Sequence, residues 1–217
     1  MSAALFRSAL VKALAAADAS TAPAQIDASA ANLAAHYAEP IRAYHNAAHI
    51  AAMLAGFEEV RASALAPHAI VLAVLFHDAI YDPRRSGNEA ASAAYARTEL
   101  AALGAAPATI ARIADLILAT QHGIREPAPA DTDCALLLDL DLAILGSAPD
   151  AYRAYAAAIR REYAHVPDAL YRPGRARVLK VFLDQPHIYR TPVFRAHLEA
   201  QARLNLAAEI AQLEAAS

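Results

Sequence analysis

The sequence predicts an all-α fold, and two patterns in the chain support this prediction. Apolar residues recur at intervals of three and four positions almost throughout, which places them on one side of a helix. Alternating runs of β-branched residues, which are typical of strands, do not occur. The composition agrees with closely packed helices, because 58% of the 217 residues are apolar, Ala is abundant and only 6 residues are Gly.

Proline residues mark where the predicted helices begin and end, since proline is accepted in the first turn of a helix but interrupts its interior. The opening segment MSAALFRSALVKALAAAD is predicted to form a first amphipathic helix. About ten helices are expected in all. The breaks fall at Pro23, Pro40, Pro67, Pro83, Pro107, residues 126–129, Pro149, Pro167, Pro173, Pro186 and Pro192. The longest predicted loop spans Gly123 to Thr132.

No low-complexity linker or internal repeat divides the chain, so we expect one compact domain over residues 1–217. The most apolar helix is predicted at Pro67 to Phe76 and is expected to run through the middle of a helical bundle. His77 and Asp78 follow it directly. Burying two polar side chains at the end of a core helix is costly unless a metal or a hydrogen-bond network satisfies them.

Charge and cysteine content narrow the expected partners. A net charge of -3 and a pI near 6.3 give no general attraction for nucleic acid or acidic membranes, so we expect neither as a partner. The single Cys134 cannot form an internal disulfide. Arg7 and Lys12 interrupt the opening segment, and no stretch free of charged residues is long enough to span a bilayer. We therefore expect a cytoplasmic protein.

Three segments contain the His and Asp residues that are candidates for metal binding and catalysis. They are Tyr44 to His49, Leu75 to Asp78, and Leu138 to Leu142. His45 and His49 are four positions apart, so if they share a helix their rings lie on the same face. Imidazole and carboxylate ligands together suit Zn, Mn, Fe, Co or Ni better than Mg alone. We predict one divalent transition-metal ion here, and a second, weaker ion such as Mg is compatible with the same residues.

The order of these segments resembles the HD superfamily of metal-dependent phosphohydrolases, an all-helical fold named after the His-Asp dipeptide. The stretch YHNAAHI is also similar to the first signature of the cyclic-nucleotide phosphodiesterases, in which the first His donates a proton and the second binds metal. NEAASA at 88–93, DLDLAILG at 139–146 and YRPGR at 171–175 are similar to a small bacterial branch of predicted HD phosphohydrolases. The resemblance covers nearly the whole chain but assigns no substrate.

The resemblance implies both an organisation and a set of site residues. It implies a metal-ligand core at about 40–145 and a C-terminal helical part at about 149–217. The implied metal ligands are His49, His77, Asp78 and Asp141, and the implied general acid is His45.

Asp139 competes with Asp141 for the last ligand position. The two residues are two positions apart on a predicted helix, so only one of them is expected to face the site. We favour Asp141, because Leu142 follows it as in the Asp-Leu pattern of the family, and Asp139 stays open as the alternative.

The predicted reaction follows from what these groups do. A divalent ion lowers the pKa of its bound water from 15.7 toward about 7 and polarises a phosphoryl oxygen, so hydroxide attacks phosphorus near neutral pH. The departing alkoxide needs a proton, which an imidazole with an ordinary pKa of about 6.5 is able to supply. We therefore predict hydrolysis of a phosphate ester in a small metabolite, with a nucleotide monoester or diester as the favoured substrate.

Four further residues are candidates for a role in the site. Glu89 is a candidate for orienting the attacking water or His45, although acidic residues are also common in the first turn of a helix. His122 is a candidate for binding substrate or metal, although a His is also favoured at a helix C-terminus. Arg42 and Arg175 are candidates for gripping phosphate, although most Arg side chains form weak ion pairs at the surface.

Two other interpretations stay open. Some HD-fold proteins are diiron oxygenases that use extra histidines, and His122 supports this alternative, whereas Glu89 stands where those oxygenases would need another His. The second is a non-catalytic nucleotide-binding or sensory HD module, against which the presence of every expected ligand argues. Dinucleotide, P-loop and serine-hydrolase chemistry are not expected, because GxGxxG, Walker and GxSxG patterns do not occur.

Overall fold

The computed structural model describes residues 2–121 and 131–215. Over these residues the chain forms ten α-helices and two short 3-10 helices and no strands, which confirms the predicted all-α fold class. The α-helices are α1 (Ser2–Ala16), α2 (Pro23–His36), α3 (Ala47–Val60), α4 (Pro67–Phe76), α5 (Asn88–Ala102), α6 (Pro107–Ala119), α7 (Thr132–Asp141), α8 (Pro149–Glu162), α9 (Asp168–Leu183) and α10 (Pro192–Ala215). The 3-10 helices are Arg61–Ser63 and Leu142–Gly146. None of the helices in these ranges has both the length and the apolar composition that crossing a membrane requires.

Prolines begin half of the α-helices, as the sequence predicts. The missing N–H of proline is harmless in a first turn, and its fixed φ suits the helix. The five starting prolines are Pro23, Pro67, Pro107, Pro149 and Pro192.

The helix end predicted at Pro173 and the loop predicted at residues 123–132 differ from these helix starts. Pro173 lies inside the second turn of α9, where it removes the hydrogen bond to residue 169, and the helix continues to Leu183. Most of the predicted loop from Gly123 to Thr132 lies outside the described residues, and α7 begins at Thr132.

The chain divides into two compact units, Met1–Leu137 and Leu138–Ser217. The boundary falls within α7. That residues 1–217 form a single domain stays a prediction. The two units are described separately below.

Helix α4 is the centre of the first unit. Every residue from Ala69 to Phe76 is buried, and α4 packs against α1, α3, α5 and α6. A helix that is apolar on all sides is stable only when neighbours cover every side, and α4 has such neighbours. The predicted helix at Pro67 to Phe76 is therefore confirmed, and its C-terminal end delivers His77 into the interior.

The segment after α4 is fixed to the start of α5 by two side chains. The hydroxyl of Ser92 accepts from the N–H of Ile80 and donates to its carbonyl, both at 3.1 Å. The amide of Asn88 makes the same two-way contact with the backbone of Asp82, also at 3.1 Å. Gly87 precedes α5 with φ +84°, a conformation that favours glycine. These contacts hold the backbone that follows Asp78.

In the second unit, the 3-10 helix Leu142–Gly146 packs closely on α10. A Cβ built at Gly146 would lie 2.6 Å from Cβ of Leu198 and 2.8 Å from its carbonyl oxygen. It would also lie 2.9 Å from the hydroxyl oxygen of Tyr189. Position 146 therefore has no room for a side chain.

Gly146→Ala is expected to lower the free energy of unfolding by about 1–3 kcal/mol, because the methyl group meets backbone of α10 that cannot move independently. The matched control is Gly174→Ala in α9, where an added Cβ meets nothing within 4 Å. This control is expected to raise stability by up to about 1 kcal/mol through helix propensity. Urea unfolding followed by circular dichroism measures both, and equal stabilities for the two variants would contradict the close packing at Gly146.

Candidate metal centre

His77 occupies the C-terminal end of α4, and its ring is oriented by the helix itself. Its backbone N–H donates to the carbonyl of Ala73, and its side chain is only 1% exposed. Nδ1 lies 2.9 Å from the carbonyl oxygen of Val74. A carbonyl only accepts hydrogen bonds, so the proton of the ring is placed on Nδ1 and Nε2 presents its lone pair to the other side. Metal-binding histidines commonly have this arrangement.

Nε2 of His77 lies 3.1 Å from Oδ2 of Asp78, which is half-buried. A lone pair and a carboxylate oxygen repel each other at this distance, so the contact needs a proton or a metal ion between the two atoms. Either a second proton on the imidazole or a metal ion bound by both atoms satisfies it. A separation of 3.1 Å is short enough for both atoms to bind one ion.

His49 brings a third ligand atom from another helix. Asn46 caps α3 by accepting from the N–H of Ala48 at 2.8 Å, and His49 follows in the first turn on the buried face. The rings of His49 and His77 have centroids 5.4 Å apart. One ligand atom each from His49, His77 and Asp78 lie within 4.8 Å of one another. Two imidazoles and a carboxylate are ligands that divalent transition metals prefer, so the chemical types of these three residues suit such an ion.

His45 lies beside the cluster, but it is not in the helix that carries His49. The condition that His45 and His49 share a helix is not met, because α3 begins after Asn46 and His45 lies in the preceding turn. The two rings are nevertheless 6.1 Å apart. A turn, rather than the helical repeat, brings His45 beside the cluster.

Tyr44 and Tyr81 lie beside the cluster, and the sequence analysis assigned a role to neither of them. The ring of Tyr81 lies 4.5 Å from that of His45, and the ring of Tyr44 lies 4.8 Å from that of His49. Tyr44 directly precedes His45, so its position in the motif was a usable signal. Tyr81 is three residues after Asp78 in a segment without regular structure, and no pattern in the sequence marks it.

Glu89 lies in the first turn of α5 and is half-buried. Its helix is the one that holds the segment after Asp78, through Ser92 and Asn88. Its role in orienting water or His45 stays a prediction.

The two aspartates that compete for the last ligand position belong to the second unit. Asp139 is fully buried, and its carboxylate accepts three hydrogen bonds of 2.7 Å, from the N–H of Arg190 and from the N–H and hydroxyl of Thr191. Burial raises the pKa of this carboxyl, and the three hydrogen bonds oppose the rise. Asp139 therefore anchors the segment before α10. Asp141, the favoured ligand, is half-buried at the end of α7, and its ligand role stays a prediction.

The three residues predicted to bind substrate have different surroundings. The guanidinium of Arg42 donates to the carbonyls of His45, Asp78 and Ala79 within the first unit. Arg175, in the second unit, pairs with Glu209 at 2.9 Å in a largely buried contact. His122 lies outside the described residues. Substrate binding by these residues stays a prediction.

No family model, curated protein or solved structure matches the chain. The likeness to the HD superfamily therefore depends on the motifs in the sequence, and the geometry described above is independent of it.

Asp139→Asn is expected to destabilise the protein by about 1–3 kcal/mol, because the amide turns an NH₂ group toward a backbone N–H that now lacks an acceptor. The control is Asp150→Asn, whose carboxylate is 90% exposed and pairs only at the surface. That substitution should stay within about 0.5 kcal/mol of the wild type. Urea unfolding compares them, and wild-type stability of Asp139→Asn would show that its three hydrogen bonds do not support the fold.

Proposed function

We propose that this chain is a metal-dependent phosphohydrolase that cleaves a phosphate ester of a small metabolite, with a nucleotide monoester or diester as the favoured substrate. The observation that supports the proposal most is the grouping of His49, His77 and Asp78, in which Nε2 of His77 lies 3.1 Å from Oδ2 of Asp78 next to the ring of His49. The sequence motifs add the resemblance to HD phosphohydrolases.

In this proposal His49, His77 and Asp78 hold one divalent transition-metal ion. The bound ion supplies hydroxide near neutral pH and polarises the phosphoryl oxygen. The protein's contribution is to fix the ligands. Val74 holds the Nδ1 proton of His77, so that Nε2 is available to a ligand, and the cap at Asn46 fixes the first turn of α3 that carries His49.

His45 is the proposed proton donor to the leaving-group oxygen. It is half-buried, its ring lies 6.1 Å from that of the proposed ligand His49, and it is not itself part of the three-residue cluster. A group beside the ligands, but outside the coordination sphere, is placed to protonate an ester oxygen. Tyr81 packs on its ring at 4.5 Å and restricts its orientation.

The ligand set extends to Asp141 on the resemblance alone, with Asp139 as the alternative that its hydrogen bonds disfavour. The oxygenase alternative depends on His122, which lies outside the described residues, so the structure adds no observation in its favour.

His77→Ala is expected to weaken Mn²⁺ binding by more than about 100-fold, because even residues that only orient metal ligands commonly contribute 10–100-fold. Isothermal titration calorimetry on protein stripped with EDTA measures the affinity. His187→Ala is the control, since His187 is exposed in the second unit and its loss should leave binding unchanged. The separate variants Asp141→Asn and Asp139→Asn, measured in the same way, show whether either carboxylate contributes to Mn²⁺ affinity.

Hydrolysis is tested by phosphate release from a panel of nucleotide monoesters and diesters with Mn²⁺, Zn²⁺, Co²⁺, Fe²⁺ or Ni²⁺. His45→Asn is expected to lower kcat about 10²–10⁴-fold for substrates with an alkoxide leaving group, because general acid catalysis contributes that much. It should keep wild-type metal affinity. Hydrolysis that persists in metal-free His77→Ala would refute the proposal, and tight nucleotide binding without turnover would favour the sensory module.

A further inference from the structure

Arg42 lies buried beside the candidate metal centre, with 6% of its surface exposed. Its guanidinium uses all three nitrogens. Nη1 donates to the carbonyl of Asp78 at 2.7 Å and to that of His45 at 3.1 Å, and Nη2 donates to the carbonyl of Ala79 at 3.0 Å. Nε donates to Glu39 at 3.0 Å. Arg42 therefore bonds mainly to backbone and has a single carboxylate partner among the described residues.

Aromatic rings fix the plane of this guanidinium. Its central carbon lies 5.2 Å from the centroid of the Tyr37 ring and 5.3 Å from that of Tyr81. Tyr37 is itself anchored, because its hydroxyl donates to the carbonyl of Leu75 in α4 at 3.1 Å. Cation–π contacts with two rings, together with four hydrogen bonds, leave the side chain little freedom to move.

The contacts of Arg42 join two segments that are distant in sequence. His45 precedes α3 and is not held by helical hydrogen bonds, whereas Asp78 follows α4. The carbonyls of both residues accept from the same Nη1 nitrogen. One guanidinium nitrogen therefore links the two backbones directly.

We propose that Arg42 is a positioning residue that sets His45 relative to the His77–Asp78 turn and does not itself contact the substrate. The catalytic consequence of this inference rests on the proposed function, because Arg42 would align the proton donor His45 with the metal ligands. It replaces phosphate binding as the role of Arg42. Lysine cannot take this role, because an ammonium group lacks the planar fork that reaches three carbonyls at once.

The first test needs no metal and no substrate. In Arg42→Lys, amide hydrogen exchange of the metal-free protein is expected to become at least about tenfold faster in peptides covering residues 43–46 and 78–81 together. Peptides from the middle of α4 should keep their wild-type rates. Wild-type exchange in both segments overturns the inference, and so does uniform acceleration over the whole chain, which indicates general destabilisation.

The matched control is Arg203→Lys. Arg203 also bonds a glutamate and three backbone carbonyls, those of Leu183, Gln185 and Pro186, but it belongs to the second unit. Arg203→Lys should lose a similar share of its hydrogen bonds, but amide exchange of residues 43–46 and 78–81 should keep its wild-type rate. If Arg42→Lys does not fold, Glu39→Gln takes its place. It weakens the Nε contact and the contact of Glu39 with His36 but leaves the three bonds of Arg42 to backbone carbonyls in place, and about threefold faster exchange is expected in the same two segments.

The second test separates positioning from phosphate binding. With a substrate from the panel, Arg42→Lys is expected to lower kcat about 10–100-fold at unchanged KM, because small misplacements of catalytic groups have effects of this size. Guanidinium at tens of millimolar should restore part of kcat in Arg42→Ala, whereas urea should not. A raised KM with wild-type kcat would assign Arg42 to the substrate and overturn the inference. If the wild type binds no metal and hydrolyses nothing, the proposed function fails, and the exchange experiment still decides the role of Arg42.

Discussion

The candidate site depends on one contact, between the lone pair of His77 Nε2 and a carboxylate oxygen of Asp78 at 3.1 Å. The two atoms face each other because the opposite ring nitrogen of His77 donates to the carbonyl of Val74. In the interior, where water screens little, such a pair is stable only with a cation between the two atoms or a second proton on the ring. Because the ring of His77 is buried, water cannot weaken the repulsion between the two atoms. His49 lies in the same cluster and offers a second imidazole nitrogen as a ligand for a metal ion.

The rest of the first unit holds this contact in place. Helix α4 is apolar on every side and packs against four other helices. Because His77 directly follows the last residue of this helix, its imidazole ring is held in the interior. Ser92 and Asn88 hold the segment that follows, and Arg42 ties the carbonyl of Asp78 to the turn that carries His45. Side chains that bond to the backbone thus determine the geometry of a region in which helices end.

Much of this was predictable from sequence where periodicity or residue type decides the outcome. The all-α class and the helix at Pro67 to Phe76 follow from apolar spacing. The grouping of His49, His77 and Asp78 was expected from the resemblance of the motifs to the HD superfamily. The turn that carries His45 and the buried role of Arg42 were not predictable, because a turn has no repeat and an arginine that binds backbone carbonyls looks in sequence like one that binds phosphate.

The account is tested most directly by anomalous X-ray diffraction at the manganese edge from crystals grown with Mn²⁺. It predicts a single strong peak within about 2.3 Å of Nε2 of His77 and Oδ2 of Asp78, with a nitrogen of His49 in the same coordination sphere. A peak at another place, or no peak beside His77 and Asp78, would contradict it.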